Sequence, residues 1–155
     1  ERRWANHTLA RIEDVELGNA ESAIKRYEAI LETQPLDRDT LESLERLYAR
    51  TSRPADYART LEALRTLSQD EREKLRFLDI LARTYAGELH LPDLAFESQR
   101  QAFLLDPRPG REQDLLRLAE QLGRGVDLGD AFSKAAARLP QGSEPFRIDL
   151  GDLTS

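Results

Sequence analysis

Ala23-Ile24-Lys25-Arg26-Tyr27-Glu28-Ala29-Ile30-Leu31-Glu32-Thr33-Gln34-Pro35 decides the fold of this chain. Its apolar residues Ala23, Ile24, Tyr27, Ile30 and Leu31 fall at i, i+1, i+4, i+7 and i+8, the spacing of one face of an α-helix. The helix begins near Ala20 and ends at Gln34-Pro35, because proline lacks the N–H that the next helical bond requires. Upstream, residues from about Trp4 to Leu17 place Leu9, Ile12 and Leu17 among charged neighbours, which predicts a first amphipathic helix stopped by Gly18-Asn19.

Downstream the same pattern recurs. Asp39 or Thr40 can cap a third helix with Leu41, Leu44, Leu47 and Tyr48 on one side, stopping near Thr51-Ser52-Arg53-Pro54. A fourth runs from about Ala55 to Leu67, and a fifth from near Asp70 towards Leu89. His90-Leu91-Pro92-Asp93 breaks the chain before a sixth helix, Leu94 to Leu105. Two shorter helices follow, Glu112 to Leu122 and Leu128 to Leu139, across a connector containing Gly123, Gly125 and Gly129. Eight helices without a strand-like alternation exclude most α/β enzyme folds.

The helices repeat. Tyr27-Glu28-Ala29-Ile30 and Leu61-Glu62-Ala63-Leu64 align 34 residues apart. Leu9-Ala10-Arg11 matches Leu81-Ala82-Arg83, and Ala23 and Pro35 match Ala95 and Pro107, all at an offset of 72. Leu44, Leu47, Asp56 and Leu61 correspond to Leu115, Leu118, Asp127 and Phe132 at an offset of 71. The chain therefore reads as two double-hairpin units, and stacked hairpins share the apolar faces that none can bury alone.

Ala23-x3-Tyr27-x2-Ile30-x4-Pro35 resembles the second half of the tetratricopeptide motif, with Ile30 where alanine is usual. Leu41-x2-Leu44-x3-Tyr48 resembles its first half, with Glu45 in place of glycine. The stretch from Leu44 to Tyr57 is similar to the divergent repeats of large bacterial scaffolding proteins in this family. The resemblance covers roughly residues 4 to 140. It implies an all-α, right-handed superhelical solenoid of about four hairpins over residues 1–140, with a linker and tail over residues 141–155.

In such arrays the first helix of each hairpin lines a concave surface. The motif register then places Arg46 and Arg117 at one groove-facing position and Arg11 and Arg83 at another. Those four guanidinium groups would suit carboxylates of an acidic peptide or partner protein; the alternative is that each pairs with a neighbouring glutamate and solubilises the surface. In the tail, Phe146, Ile148 and Leu150 alternate with polar residues, and two readings compete: a disordered terminus, or docking across an exposed apolar edge of the last hairpin or in the groove of a neighbouring molecule.

Composition narrows the function further. A net charge of -6 opposes binding to phosphate backbones, so no nucleic-acid partner is expected. Without cysteine there is neither a disulfide nor a thiolate zinc site. His7 and His90 are far apart and lack a second ligand at i+3 or i+4, so no metal and no cofactor are expected. No apolar run approaches a membrane span. The chain opens at Glu1 and contains no methionine, and it reads as an excised domain or processed product of a longer bacterial protein, with a cytoplasmic setting favoured.

Carboxylates are spread along polar helix faces near Arg or Lys, the pattern of solvated i, i+4 pairs rather than of paired acid–base groups. Gly123-Arg124-Gly125 follows a helix and lacks the Lys-Ser/Thr ending of a phosphate loop. Tyr27, Tyr48, Tyr57, Tyr85, Phe96 and Phe132 fall on apolar faces as packing residues. The expected role is a non-enzymatic protein-interaction scaffold. The competing readings are a structural spacer or self-associating module, and an enzyme built from dispersed carboxylates.

Overall fold

The computed structural model describes residues 2–15 and 18–138. Phe146, Ile148 and Leu150 lie outside the described residues. All regular structure among the described residues is α-helical, in eight helices: α1 (Arg2–Val15), α2 (Ala20–Thr33), α3 (Arg38–Arg50), α4 (Pro54–Leu67), α5 (Glu71–Ala86), α6 (Pro92–Leu105), α7 (Pro109–Leu122) and α8 (Gly125–Arg138). They group into two compact units, one carrying α1 to α4 and the other α5 to α8. The division falls where the 72-residue period begins again.

In the first unit, α1 packs on α2, α2 on α3 and α3 on α4. Ala10, Ala23, Ile24, Tyr27, Ile30, Leu44, Leu47 and Tyr48 form its core. In the second unit, α6 contacts α5, α7 and α8, and Phe96, Phe103, Leu115, Ala119, Leu128, Phe132 and Ala135 share one cluster. Phe103 and Phe132 meet edge to face with ring centroids 5.1 Å apart, which fixes α6 against α8.

Small hydroxyl residues let the helices approach closely. Ser43, Thr60, Thr84 and Ser98 are buried, and each hydroxyl donates to the carbonyl four residues earlier, at 2.9 Å in every case. No buried hydroxyl among these four is left without an acceptor, so burial costs little.

The helix starts differ from those read in the sequence, for reasons of backbone chemistry. Asp37, rather than Asp39 or Thr40, caps α3: its carboxylate accepts from the Thr40 backbone N–H at 3.2 Å and the Thr40 hydroxyl at 2.5 Å. Pro54, Pro92 and Pro109 stand inside the first turns of α4, α6 and α7 instead of before them. At that position the missing N–H would have no helical partner in any case, and φ is already helical.

Two further expectations are corrected. Helix α5 ends at Ala86, not near Leu89, because the Leu89 and Leu91 N–H groups turn back to the Thr84 and Tyr85 carbonyls at 3.1 and 2.7 Å, with His90 in the left-handed region at φ 51. Gly125 and Gly129 belong to α8, not to a connector. Only Gly123 makes the turn: at φ 66 it caps α7, donating to the Ala119 and Glu120 carbonyls.

The apolar face of α1 is also not the one expected. Ala10, fully buried, makes the contact with α2, whereas Leu9 remains 44% exposed. Of the expected face, Ile12 is half-buried and Leu17 lies outside the described residues.

Candidate functional site

Arg11, Arg46, Arg83 and Arg117 sit on α1, α3, α5 and α7, the first helix of each hairpin, and all four are exposed. None is held in a close ion pair with a described residue. Arg46 reaches the Ser43 hydroxyl at 3.4 Å, Arg83 the Asp79 carbonyl at 3.4 Å, and Arg117 stands 4.0 Å from Asp114. Other arginines tie helices together within each unit. Arg50 pairs with Asp14, Arg53 with Glu21, Arg26 with Glu13 at 2.8 Å and Arg124 with Glu97 at 2.8 Å. Of the four, Arg117 alone stands within ion-pair distance of a described carboxylate, that of Asp114.

The four arginines are not brought together into one ladder within a unit. In the first unit, Arg11 lines a cleft of about 650 Å³ with Arg3, Trp4, His7 and Thr8 of α1 and Asp39 of α3. In the second, Arg83 lines a cleft of about 390 Å³ with Asp79 and Ala82 of α5, Gln99 of α6, and Arg111 and Asp114 of α7. Arg46 and Arg117 line neither cleft.

The two clefts are the same place in two copies of the 72-residue repeat. His7 corresponds to Asp79, Arg11 to Arg83 and Tyr27 to Gln99. In each, one guanidinium is neutralised and the other is not. Arg3 pairs with Asp37, with Asp39 4.0 Å away. Arg111 places its terminal nitrogens 2.5 and 2.9 Å from the two Asp79 oxygens and its Nε 3.4 Å from Asp106. The hydrogen bond to Asp79 is the main reason the Arg111 guanidinium holds its proton even more tightly than usual. Arg11 and Arg83 are left as the available cations of their clefts.

The repeat has exchanged the polar floor while keeping that cation. His7 lies edge-on to Tyr27, with centroids 5.3 Å apart, and its buried Nε2 has no hydrogen-bond partner. At the equivalent positions the second unit has Asp79 and Gln99, and the buried Gln99 Oε1 is likewise unpartnered. Buried polar atoms ordinarily have partners, so both clefts carry incomplete polar floors. The sequence reading missed Arg3, Trp4, His7, Asp79, Gln99 and Arg111. The 72-residue register that pairs Arg11 with Arg83 also aligns His7 with Asp79 and Tyr27 with Gln99.

A third cleft, of about 580 Å³, lies on the opposite chemistry, with Leu31, Leu41 and Ala63 beside Glu28, Glu32 and Asp56. The Tyr48 hydroxyl in its wall donates to Glu28 at 2.7 Å. Burial first, and then Glu28, push the Tyr48 phenol well above its ordinary pKa. Among the described residues, no group of three His, Asp or Glu side chains could hold a metal ion, and no helix is long and apolar enough to cross a membrane.

No protein-family model matches the chain, and no curated protein matches it in sequence. Its fold does have solved counterparts. A crystal structure of the MamA protein superimposes with a TM-score of 0.54 at 17% identity, covering 87% of this chain and 72% of that one. A second crystal structure of MamA gives 0.50 at 18% identity, covering 83% and 72%. At such identities the likeness is one of fold, and the fold is a tetratricopeptide-like helical repeat.

Proposed function

We propose that this chain is a protein-interaction scaffold, which holds a partner protein or peptide against the first helices of its hairpins and performs no catalysis itself. The observation that carries the reading is the state of Arg11, Arg46, Arg83 and Arg117. All four recur in the repeat register, stand exposed on first helices and are free of close ion pairs, while arginines such as Arg26, Arg53 and Arg124 are tied into the fold. A guanidinium without an internal carboxylate is available to an external one, and it binds carboxylate bidentately. The partner is therefore acidic where it touches these residues, and its recognition is weakened by salt. The tetratricopeptide-like fold supports the reading, because stacked hairpins present first-helix side chains on a continuous surface.

The test is capture from the source lysate by the intact chain and by a variant with all four arginines changed to alanine, both checked for equal helicity by circular dichroism. The captured protein is then identified, purified and titrated against both chains. Loss of binding by at least tenfold in an equally helical variant supports the reading. Equal binding by the two chains rejects it, and recovery of the chain alone favours self-association.

A further inference from the structure

We infer that the cleft lined by α2, α3 and α4 of the first unit docks a basic segment of a partner protein, one that carries a lysine or arginine beside an apolar residue. The inference goes beyond the scaffold reading above, because it names a second surface that does not use the arginines of the first helices.

At about 580 Å³ the cleft falls within the size range, roughly 300–1,000 Å³, of sites that enclose ligand groups. Leu31, Pro35, Leu41 and Ala63 give it an apolar lining. Its charges do not cancel. Arg59, the one cation among the described lining residues, pairs with Asp56. Arg53, near enough to bear on the Tyr48 phenol, is tied to Glu21. Among the described residues Glu28 accepts only the Tyr48 hydroxyl, at 2.7 Å, a neutral donor that orients the carboxylate and leaves its charge intact. Glu32 has no hydrogen bond or ion pair to a described residue. These two carboxylates are one turn apart on α2, where like charges repel. A cation seated between them relieves that repulsion, and the methylene stem of lysine or arginine suits the leucines and alanine beside them.

The second unit shows that the repeat does not require this chemistry. At the offset of 72, Glu28 corresponds to Arg100, Leu31 to Phe103 and Glu32 to Leu104. Phe103 is fully buried against Phe132, whereas Leu31 is only half-buried, and Arg100 is paired with Glu97 at 3.0 Å. Where the second unit packs an aromatic pair and neutralises its charge, the first presents an apolar lining and two carboxylates without a cation. The complement of that surface is positively charged and partly apolar, and its docking is weakened by salt.

The probe is a phage-displayed library of random nine-residue peptides, selected on the intact chain after depletion on the Glu28→Gln/Glu32→Gln double variant. Recovered peptides are synthesised with blocked termini and titrated by calorimetry. The expected peptides carry a lysine or arginine within two positions of an apolar residue and bind the double variant at least tenfold more weakly than the intact chain. A second double variant, Glu88→Gln/Glu120→Gln, removes two exposed charges elsewhere and should bind within about threefold of the intact chain. Circular dichroism verifies that both variants remain folded. The inference is overturned if no peptide is recovered, if the recovered peptides lack a cation, or if serine in place of the apolar residue leaves binding unchanged. Equal losses in the two double variants overturn it too, since net charge alone then attracts the peptide. The variant with all four first-helix arginines changed to alanine should still bind these peptides. If it does not, this inference fails, while the scaffold reading is judged separately by its own capture experiment.

Discussion

Asp79 on α5 and Arg111 on α7 form a two-pronged ion pair, 2.5 and 2.9 Å long, that joins the first helices of the third and fourth hairpins. The first unit makes the same connection with the charges reversed: Arg3 on α1 pairs with Asp37, the residue that caps α3. One mechanical need, tying successive first helices across a cleft, is met twice with opposite polarity.

Removing one partner strands the other. The Arg111 side chain is only 19% exposed and Asp79 is 42% exposed, so the loss should lie between that of a surface pair and that of a buried one. Asp79→Asn and Arg111→Met should each lower stability by on the order of 1–2 kcal/mol. A double-mutant cycle by urea denaturation checks the pair: strict additivity of the two losses would mean that Asp79 and Arg111 do not couple.

The two kinds of arginine should separate in the same assay. Arg124 stacks 4.3 Å over the Phe96 ring and pairs with Glu97 at 2.8 Å, so Arg124→Ala should cost about 1–2 kcal/mol. Arg46→Ala and Arg117→Ala remove exposed groups without close pairs and should stay within about 0.5 kcal/mol of the native protein. Large losses at Arg46 or Arg117 would mark them as structural rather than available to a partner.

Two glycines six residues apart should respond in opposite directions. A Cβ at Gly129, within α8, would meet nothing within 4 Å, so Gly129→Ala should raise stability by about 0.5–1 kcal/mol through helix propensity. Gly123 has equal space but φ 66, and Gly123→Ala should destabilise by about 1 kcal/mol. Thermal melts of the two variants provide the comparison.

Leu44 is fully buried in the core of the first unit, and Phe103 is fully buried in that of the second. Leu44→Ala should cost about 2–5 kcal/mol and Phe103→Ala about 3–5 kcal/mol. Hydrogen exchange should show Leu44→Ala lowering protection across α2 and α3, and Phe103→Ala across α6 and α8.

Tyr48 makes stability fall at alkaline pH. Its folded phenol holds a proton more tightly than an unfolded tyrosine, through burial and the Glu28 carboxylate. The contribution is fully present below the unfolded value of about 10 and is lost as pH rises above it, where only the unfolded state ionises readily. Stability measured from pH 8 to 11 should decline less steeply in Tyr48→Phe than in the native chain; identical slopes would remove Tyr48 from the account.

The helices were legible because each depends on neighbours close in sequence. The face formed by Ala23, Ile24, Tyr27, Ile30 and Leu31 needs only the helical period, and all but the half-buried Leu31 are buried as that period requires. Helix starts were less legible. A proline such as Pro54 ends one helix or opens the next with the same local chemistry, and the choice lies in where the preceding chain turns. The face of α1 was misread for a related reason: Leu9 and Ala10 both suit a helix, and only the approach of α2 selects Ala10.

The periods of 34 and 72 residues, set by local helix-forming and helix-breaking residues, were enough to establish an all-helical array of paired hairpins and to align Arg11 with Arg83, while their choice as groove residues came from the resemblance to the tetratricopeptide motif. The clefts around those arginines were settled only in three dimensions. Whether a guanidinium is available depends on which carboxylate folding carries to it, and Asp79 reaches Arg111 from 32 residues away while Arg83, beside it in the same cleft, is left without a close carboxylate partner. Charge pairing acts through space over a few ångströms, so the residues that complete these sites are fixed by packing between helices distant in the chain.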